Sequence, residues 1–174
     1  VPTRVVEVAP ERYERWRARF AENNGADGPQ RVVGTERFDH DPVALVLVRR
    51  GGYAVGLAVG GRLTAHKVGT RYVQSRTAAG GWSQQRFARR RGNQADELVG
   101  AVAEHAVRLL RGSGARALVA GGDRALAEAV LADARLAGLR DLPRRELYDL
   151  PDPRLAVLER AVERARAVRV TIAD

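Results

Sequence analysis

Two diglycine pairs, Gly51-Gly52 and Gly60-Gly61, separate three apolar runs and constrain the middle of the chain more than any other feature. The runs are Val43 to Arg49, Tyr53 to Val59 and Arg62 to Gln74. Glycine takes positive φ at no steric cost, which is what a tight hairpin asks of its central residues. With so few residues between them, successive runs must double back, and the segment reads as an antiparallel β-meander. The pattern then changes period. From Ser83 to Arg111 only Gly92 and Gly100 interrupt a helical spacing, and Leu98, Val99, Val102, Ala106, Leu109 and Leu110 form its apolar stripe. Gly112-Ser113-Gly114 ends it, as glycine past a helix commonly does.

The rest of the chain alternates. Ala117 to Ala120 reads as a short strand, followed by Gly121-Gly122-Asp123 and a helix to about Leu136. Arg154 to Ala167 reads as another helix and Val168 to Ile172 as a final strand, with Pro143, Pro151 and Pro153 in the connecting loops. Near the start, Pro10, Tyr13, Trp16 and Phe20 recur at helical spacing, and the polar stretch Asn23 to Gln30 closes that helix. With 174 residues, 45% of them hydrophobic, the chain is long enough for one domain with a real core. We expect a single domain over 1–174: a helical extension at 1–30 and an α/β core at 31–174. Right-handed crossovers would set the last two strands parallel to the first. The element order is that of ribonuclease H-like domains: a mixed sheet with helices packed on its faces.

Charge is unevenly placed. The whole chain carries a net charge of +9, yet Pro42 to Ala95 contains no acid and ten bases: Arg49, Arg50, Arg62, Lys67, Arg71, Arg76, Arg86, Arg89, Arg90 and Arg91. That segment alone holds +10, so the remainder nearly cancels. A local surplus of this kind is an electrostatic footprint for phosphates, and it points to nucleic acid. The competing reading is a solvated basic face. Cysteine is absent, which excludes disulfides and thiolate metal sites. No run of about 18 apolar residues is present, and no secretory leader opens the sequence, so a cytoplasmic protein without membrane spans is expected.

Within the acid-free segment lies Gly80-Gly81-Trp82-Ser83-Gln84-Gln85-Arg86-Phe87-Ala88-Arg89-Arg90-Arg91. A diglycine here is either a plain turn or a thin tip able to enter a crowded RNA pocket. Trp82 either packs back onto the core or stacks on a base. Ser83 suits a helix N-cap and needs no further role. Glutamine cannot act as a base, but Gln84 or Gln85 can orient water and help backbone N–H groups receive an oxyanion. Chemistry needing only that is attack on an already activated carbonyl, such as an aminoacyl ester. Arg86, Arg89, Arg90 and Arg91, with Arg71 and Arg76 before the loop, supply phosphate anchors on either side.

Gly80 to Arg89 resembles the loop of eukaryotic and archaeal peptide-chain release factors, in which Gly-Gly-Gln is followed by Ser and then Arg-Phe-Ala-Arg. Thr70 to Gln94 as a whole is more similar to the Vms-like release factor group, peptidyl-tRNA hydrolases related to the eukaryotic ribosome-quality-control hydrolase. The resemblance covers most of the chain, with Tyr72 to Gln94 its specific part. It implies a ribonuclease H-like domain, akin to the middle domain of release factors, that hydrolyses the peptide–tRNA ester on the ribosome. The implied partners are peptidyl-tRNA and ribosomal RNA at the peptidyl-transferase centre, with neither membrane nor DNA. In a gapless match Trp82 takes the position of the catalytic glutamine, and the role passes to Gln84 or Gln85. The Gly-Gly-Ser-Gln order of the quality-control enzyme favours Gln84. A non-catalytic RNA-binding module is the alternative reading.

Other signals count for less. His40, His66 and His105 lack metal-ligand spacing. Asp39 and Asp41 invite a nuclease reading, but two metals need several converging carboxylates and the meander runs contain none. Gly121-Gly122-Asp123 lacks the rest of a phosphate-loop motif and reads as a strand-to-helix turn. No metal and no cofactor is expected.

Overall fold

The structure is a computed structural model that describes residues 1–70 and 82–174; of residues 82–85, 87, 88 and 91 it describes the backbone. The described chain divides into two compact units, residues 40–162 and residues 1–39 with 163–174.

The larger unit holds the meander. Val43–Arg49 (β3), Gly52–Val59 (β4) and Arg62–Gly69 (β5) pair antiparallel in sequence order, after two earlier strands described below. Gly60 and Gly61 both take positive φ in the second turn, as the hairpin requires. Ala117–Gly122 (β6) and Arg144–Leu147 (β7) continue the sheet on the other side of β3, both parallel to it, giving the order β5-β4-β3-β6-β7. Because β3 is central, its side chains are covered on both faces, and residues 43–48 are all buried.

One face packs on Trp82–Leu110 (α2) and Arg124–Leu131 (α3). Ala44, Val46, Val55, Leu118 and Ala120 meet Leu98, Val102, Ala106 and Leu110 there. Each fully buried leucine contributes about 1.5–3 kcal/mol by leaving water. On the opposite face Leu155–Arg166 (α5) brings in Leu158. Gly56 makes room for it, since a Cβ on Gly56 would stand 3.1 Å from a Leu158 methyl.

The smaller unit is a three-stranded antiparallel sheet. Thr3–Val8 (β1) and Arg31–Glu36 (β2) flank Val168–Ala173 (β8). Tyr13–Asn24 (α1), entered through a 3₁₀ turn at Pro10–Arg12, covers one face with Tyr13, Trp16 and Phe20 against Val8, Val168, Val170 and Ile172. Gly25 at φ +59° stops α1, its N–H donating to the Ala21 carbonyl at 2.8 Å.

The parallel placement expected for the final strand is corrected here. Val168–Ala173 does not join β3's sheet; it runs antiparallel between β1 and β2, and the fifth strand of the large sheet is β7. The helix expected to run to Leu136 is also broken. Asp133 accepts the Arg135 backbone N–H at 2.9 Å, which starts a fresh 3₁₀ turn at Ala134–Leu136 ahead of Ala137–Arg140 (α4). The expected extension of the third meander strand to Gln74 falls largely outside the described residues.

Candidate functional site

The register places the candidate site at one end of the large sheet. Tyr53 at the start of β4 is opposite Gly69 at the end of β5, and Gly52 is opposite Arg49 at the end of β3. Val48 lies beside Gly122 at the end of β6. Three carboxyl ends, those of β3, β5 and β6, therefore share one edge, the side on which open α/β sheets receive ligands. β5 ends at that edge with Gly69, and α2 is the next described element in the chain.

Helix α2 is far longer than the sheet is deep. Its 29 residues span about 43 Å at 1.5 Å per residue, whereas an eight-residue strand spans about 27 Å. Its core contacts begin late: Leu98 is its first buried residue among those described. Before it, Arg86, Arg89, Arg90, Gly92 and Asn93 are exposed, and a Cβ on Gly92 would meet nothing within 4 Å. Residues 82–95, ahead of Leu98, form the N-terminal arm of α2, and the C-terminal half of the helix is fixed by the apolar stripe.

The sequence candidates distribute along this arm. Trp82, Ser83, Gln84 and Gln85 form its first turn. Ser83 falls inside that turn rather than ahead of it. The side chains of these four residues, and that of Arg91, lie outside the description, as do Arg71, Arg76, Gly80 and Gly81 entirely. Arg86 and Arg90 are one helical turn apart on one face, both exposed, with Arg89 exposed beside them. On β5, Arg62, His66 and Lys67 are exposed as well. At the shared edge Arg49 is used structurally, with its guanidinium donating to the Leu150 carbonyl at 2.7 Å and lying 3.3 Å from the Asp152 carboxylate.

The discounted groups have structural work. Asp41 accepts the Gly60 N–H at 2.9 Å and so holds the second hairpin turn. Half-buried His105 stacks on Tyr53, ring centroids 5.3 Å apart. Asp123 caps α3 by accepting the Leu126 N–H at 2.9 Å. Gly122, at φ +88°, allows that turn, because a Cβ there would collide with the Val48 carbonyl oxygen. Among the described residues no group of three or more His, Cys, Asp and Glu is arranged to hold a metal ion. Nor is any described helix long and apolar enough to cross a membrane.

Residues 41–171 match the family description "Actinobacteria/chloroflexi VLRF1 release factor". The chain belongs to that family. The matched span contains the meander, residues 71–81 and all of α2. A solved structure titled "Vms1 mitochondrial localization core" is similar to it over 74% of this chain, with 12% identity and a TM-score of 0.48. The alignment spans 56% of that structure's own length. No curated protein matches the sequence. Residues 1–40, which supply β1, α1 and β2, precede the matched span. Sequence reading passed over β1, β2 and β7. The β-branched pairs Val5-Val6 and Val32-Val33 were the available signal for the first two.

Proposed function

We propose that this release factor hydrolyses the ester between a nascent peptide and its tRNA on the ribosome. The observation that carries the reading is the match of a release-factor family over residues 41–171 to a chain whose Gly-Gly-Trp-Ser-Gln-Gln segment runs into the arginine-rich start of α2. The reaction centre of such a substrate is buried in RNA, so a loop that works there must be thin and carried away from the bulk of the domain. Gly80 and Gly81 supply the thinness, having no side chains. The arm supplies the reach.

In this reading water attacks the ester carbonyl and the carbonyl oxygen gains charge. The first N–H groups of a helix have no intrahelical acceptor and lie at the positive end of its dipole. The backbone amides from Gly81 to Ser83 are therefore suited to receive the oxyanion, with Gln84 orienting the water and stabilising the same charge. The tRNA 3′ hydroxyl leaves with the proton that water gives up. Arg86, Arg89, Arg90 and Arg91, with Arg71 and Arg76, anchor the arm on phosphates of ribosomal RNA or of the acceptor end. No side chain in this set needs to be a strong base, because the ester is already activated.

The test is peptide release from purified ribosomes carrying labelled peptidyl-tRNA. Wild-type protein is expected to free the peptide, and Gly81→Ala, folded by circular dichroism, to bind ribosomes without doing so. Release at an unchanged rate by folded Gly81→Ala would remove the loop from the chemistry. A protein that binds ribosomes but never frees the peptide, whatever its loop, would instead be an RNA-binding module.

A further inference from the structure

The smaller unit carries a basic groove that the release chemistry does not use. It lies between β1 and α1, has a volume of about 580 Å³, and is lined by Val6, Glu7, Val8, Arg12, Arg15, Trp16 and Arg19 among others. Arg12, Arg15 and Arg19 are exposed. Their spacing of three and four places them along one side of the helix, over about 10 Å of its axis. Among the described residues none of the three forms an ion pair or side-chain hydrogen bond, although Arg17 on the same helix lies 3.8 Å from Glu14. Two nearby acids, Glu7 and Glu11, are paired with other arginines. Glu7 is held by Arg164 through contacts of 2.7 and 3.0 Å, and Glu11 by Arg166 at 2.9 Å. A backbone hydrogen bond, then Arg166, also keeps the Glu11 carboxyl below its usual pKa, so its charge stays committed to that pair.

We propose that this groove is a second RNA-binding surface, in which Arg12, Arg15 and Arg19 follow the phosphates of one RNA strand. The three arginines lie along about 10 Å of the helix axis, within reach of successive phosphates of one strand. A membrane surface fits less well. An interfacial helix buries an apolar face in lipid, but the apolar side of α1 is packed onto its own sheet. None of the large exposed hydrophobics of the described chain lies on α1. Trp16 is stacked between Tyr13 and Phe20, at 6.3 and 5.2 Å, so it walls the groove and offers no free ring face to a base. Recognition here is therefore by charge and independent of sequence. The choice of RNA among polyanions rests on the ribosomal reading above; the groove itself lies outside the family-matched residues.

The experiment compares full-length wild type with Arg12→Ala/Arg15→Ala/Arg19→Ala, using Arg17→Ala as a control. Affinity for ribosomes and for bulk tRNA is measured as a function of potassium chloride. Loss of three phosphate contacts lowers the slope of log affinity against log salt by about two to three. Arg17→Ala leaves the slope unchanged. In single-turnover release at saturating protein, the triple variant keeps the wild-type rate constant. Should the triple variant fail to fold, Arg15→Gln/Arg19→Gln serves, with a slope decrease of about one to two. An unchanged slope in a folded variant overturns the proposal. So does binding to polyglutamate or phosphatidylserine vesicles that exceeds RNA binding and is lost with the same arginines. If no variant or wild type releases peptide while the slope still falls, the hydrolase reading fails and the groove stands.

Discussion

Gln84 and Gln85 are neighbours in the first turn of α2, and the proposed reaction asks one of them to orient the water. Gln84→Ala is expected to slow single-turnover release by about tenfold or more, the usual cost of losing a group that stabilises an oxyanion. Gln85→Ala should cost less, and the reverse order would hand the role to Gln85. Asp133 makes a separate prediction, because it starts a turn and binds Arg135 through both carboxylate oxygens at 3.0 and 2.9 Å. Its pKa is lowered to about 2, chiefly by the Arg135 side chain and then by the Arg135 backbone N–H. A depressed folded pKa stabilises the protein above the ordinary value of 3.8, and that contribution is lost as pH falls from about 4 to about 2. Asp133→Asn should lower the melting temperature at neutral pH and flatten its decline over that window. A parallel decline in variant and wild type would show that other carboxylates control it.

At the scale of elements, α2 joins a stripe that packs to an arm whose Arg86, Arg89 and Arg90 are exposed. Gly100 is exposed on the packed half, at an ordinary helical φ, and a Cβ there would meet nothing within 4 Å. Gly100→Ala should stabilise the protein by about 0.5–1 kcal/mol, measured by denaturant unfolding, because alanine loses less backbone entropy in a helix. On the arm, removing Arg89 and Arg90 together should reduce the salt slope of ribosome binding by about two. An unaltered slope would mean that this face meets solvent in the complex. These two halves differed in how far sequence alone could take them. The meander was legible because Gly51-Gly52 and Gly60-Gly61 punctuate long apolar runs, and the stripe because Leu98 to Leu110 holds one period. Strand β7 was not, since Arg144-Arg145-Glu146-Leu147 carries three charges and Arg145 is nonetheless buried. β8 was legible as a strand, but no local pattern says which sheet a strand will join, and the partners that claim it were themselves hidden in short, exposed runs. The candidate loop was singled out by its residues and not by periodicity, and residues 71–81 lie outside the described ones.

For the whole molecule the decisive contrast is between the ribonuclease H-like order expected from its sequence and the carboxylates that a nuclease would need. Two divalent cations working on a phosphodiester require several acidic groups converging on them. From Pro42 to Ala95 the chain has no acid at all, across β3, β4, β5 and the arm of α2. Two acids that follow the strands at the shared end of the sheet are engaged elsewhere, Asp123 in capping α3 and Asp152 beside Arg49. A strongly basic surface without carboxylates can hold RNA but has little with which to hold metals against it, so the bond broken should be the ester and not the phosphodiester. Ribosomes require magnesium for their own integrity, which makes chelation of the whole reaction uninformative. The products decide the matter. Peptidyl-tRNA labelled in both the peptide and the tRNA is expected to give free peptide and full-length tRNA ending in a 3′ hydroxyl, and protein stripped of zinc and manganese should react at the same rate. A tRNA shortened at its 3′ end, with the peptide carried off on the excised nucleotides, would show that a phosphodiester was cut and that ester hydrolysis is not the reaction.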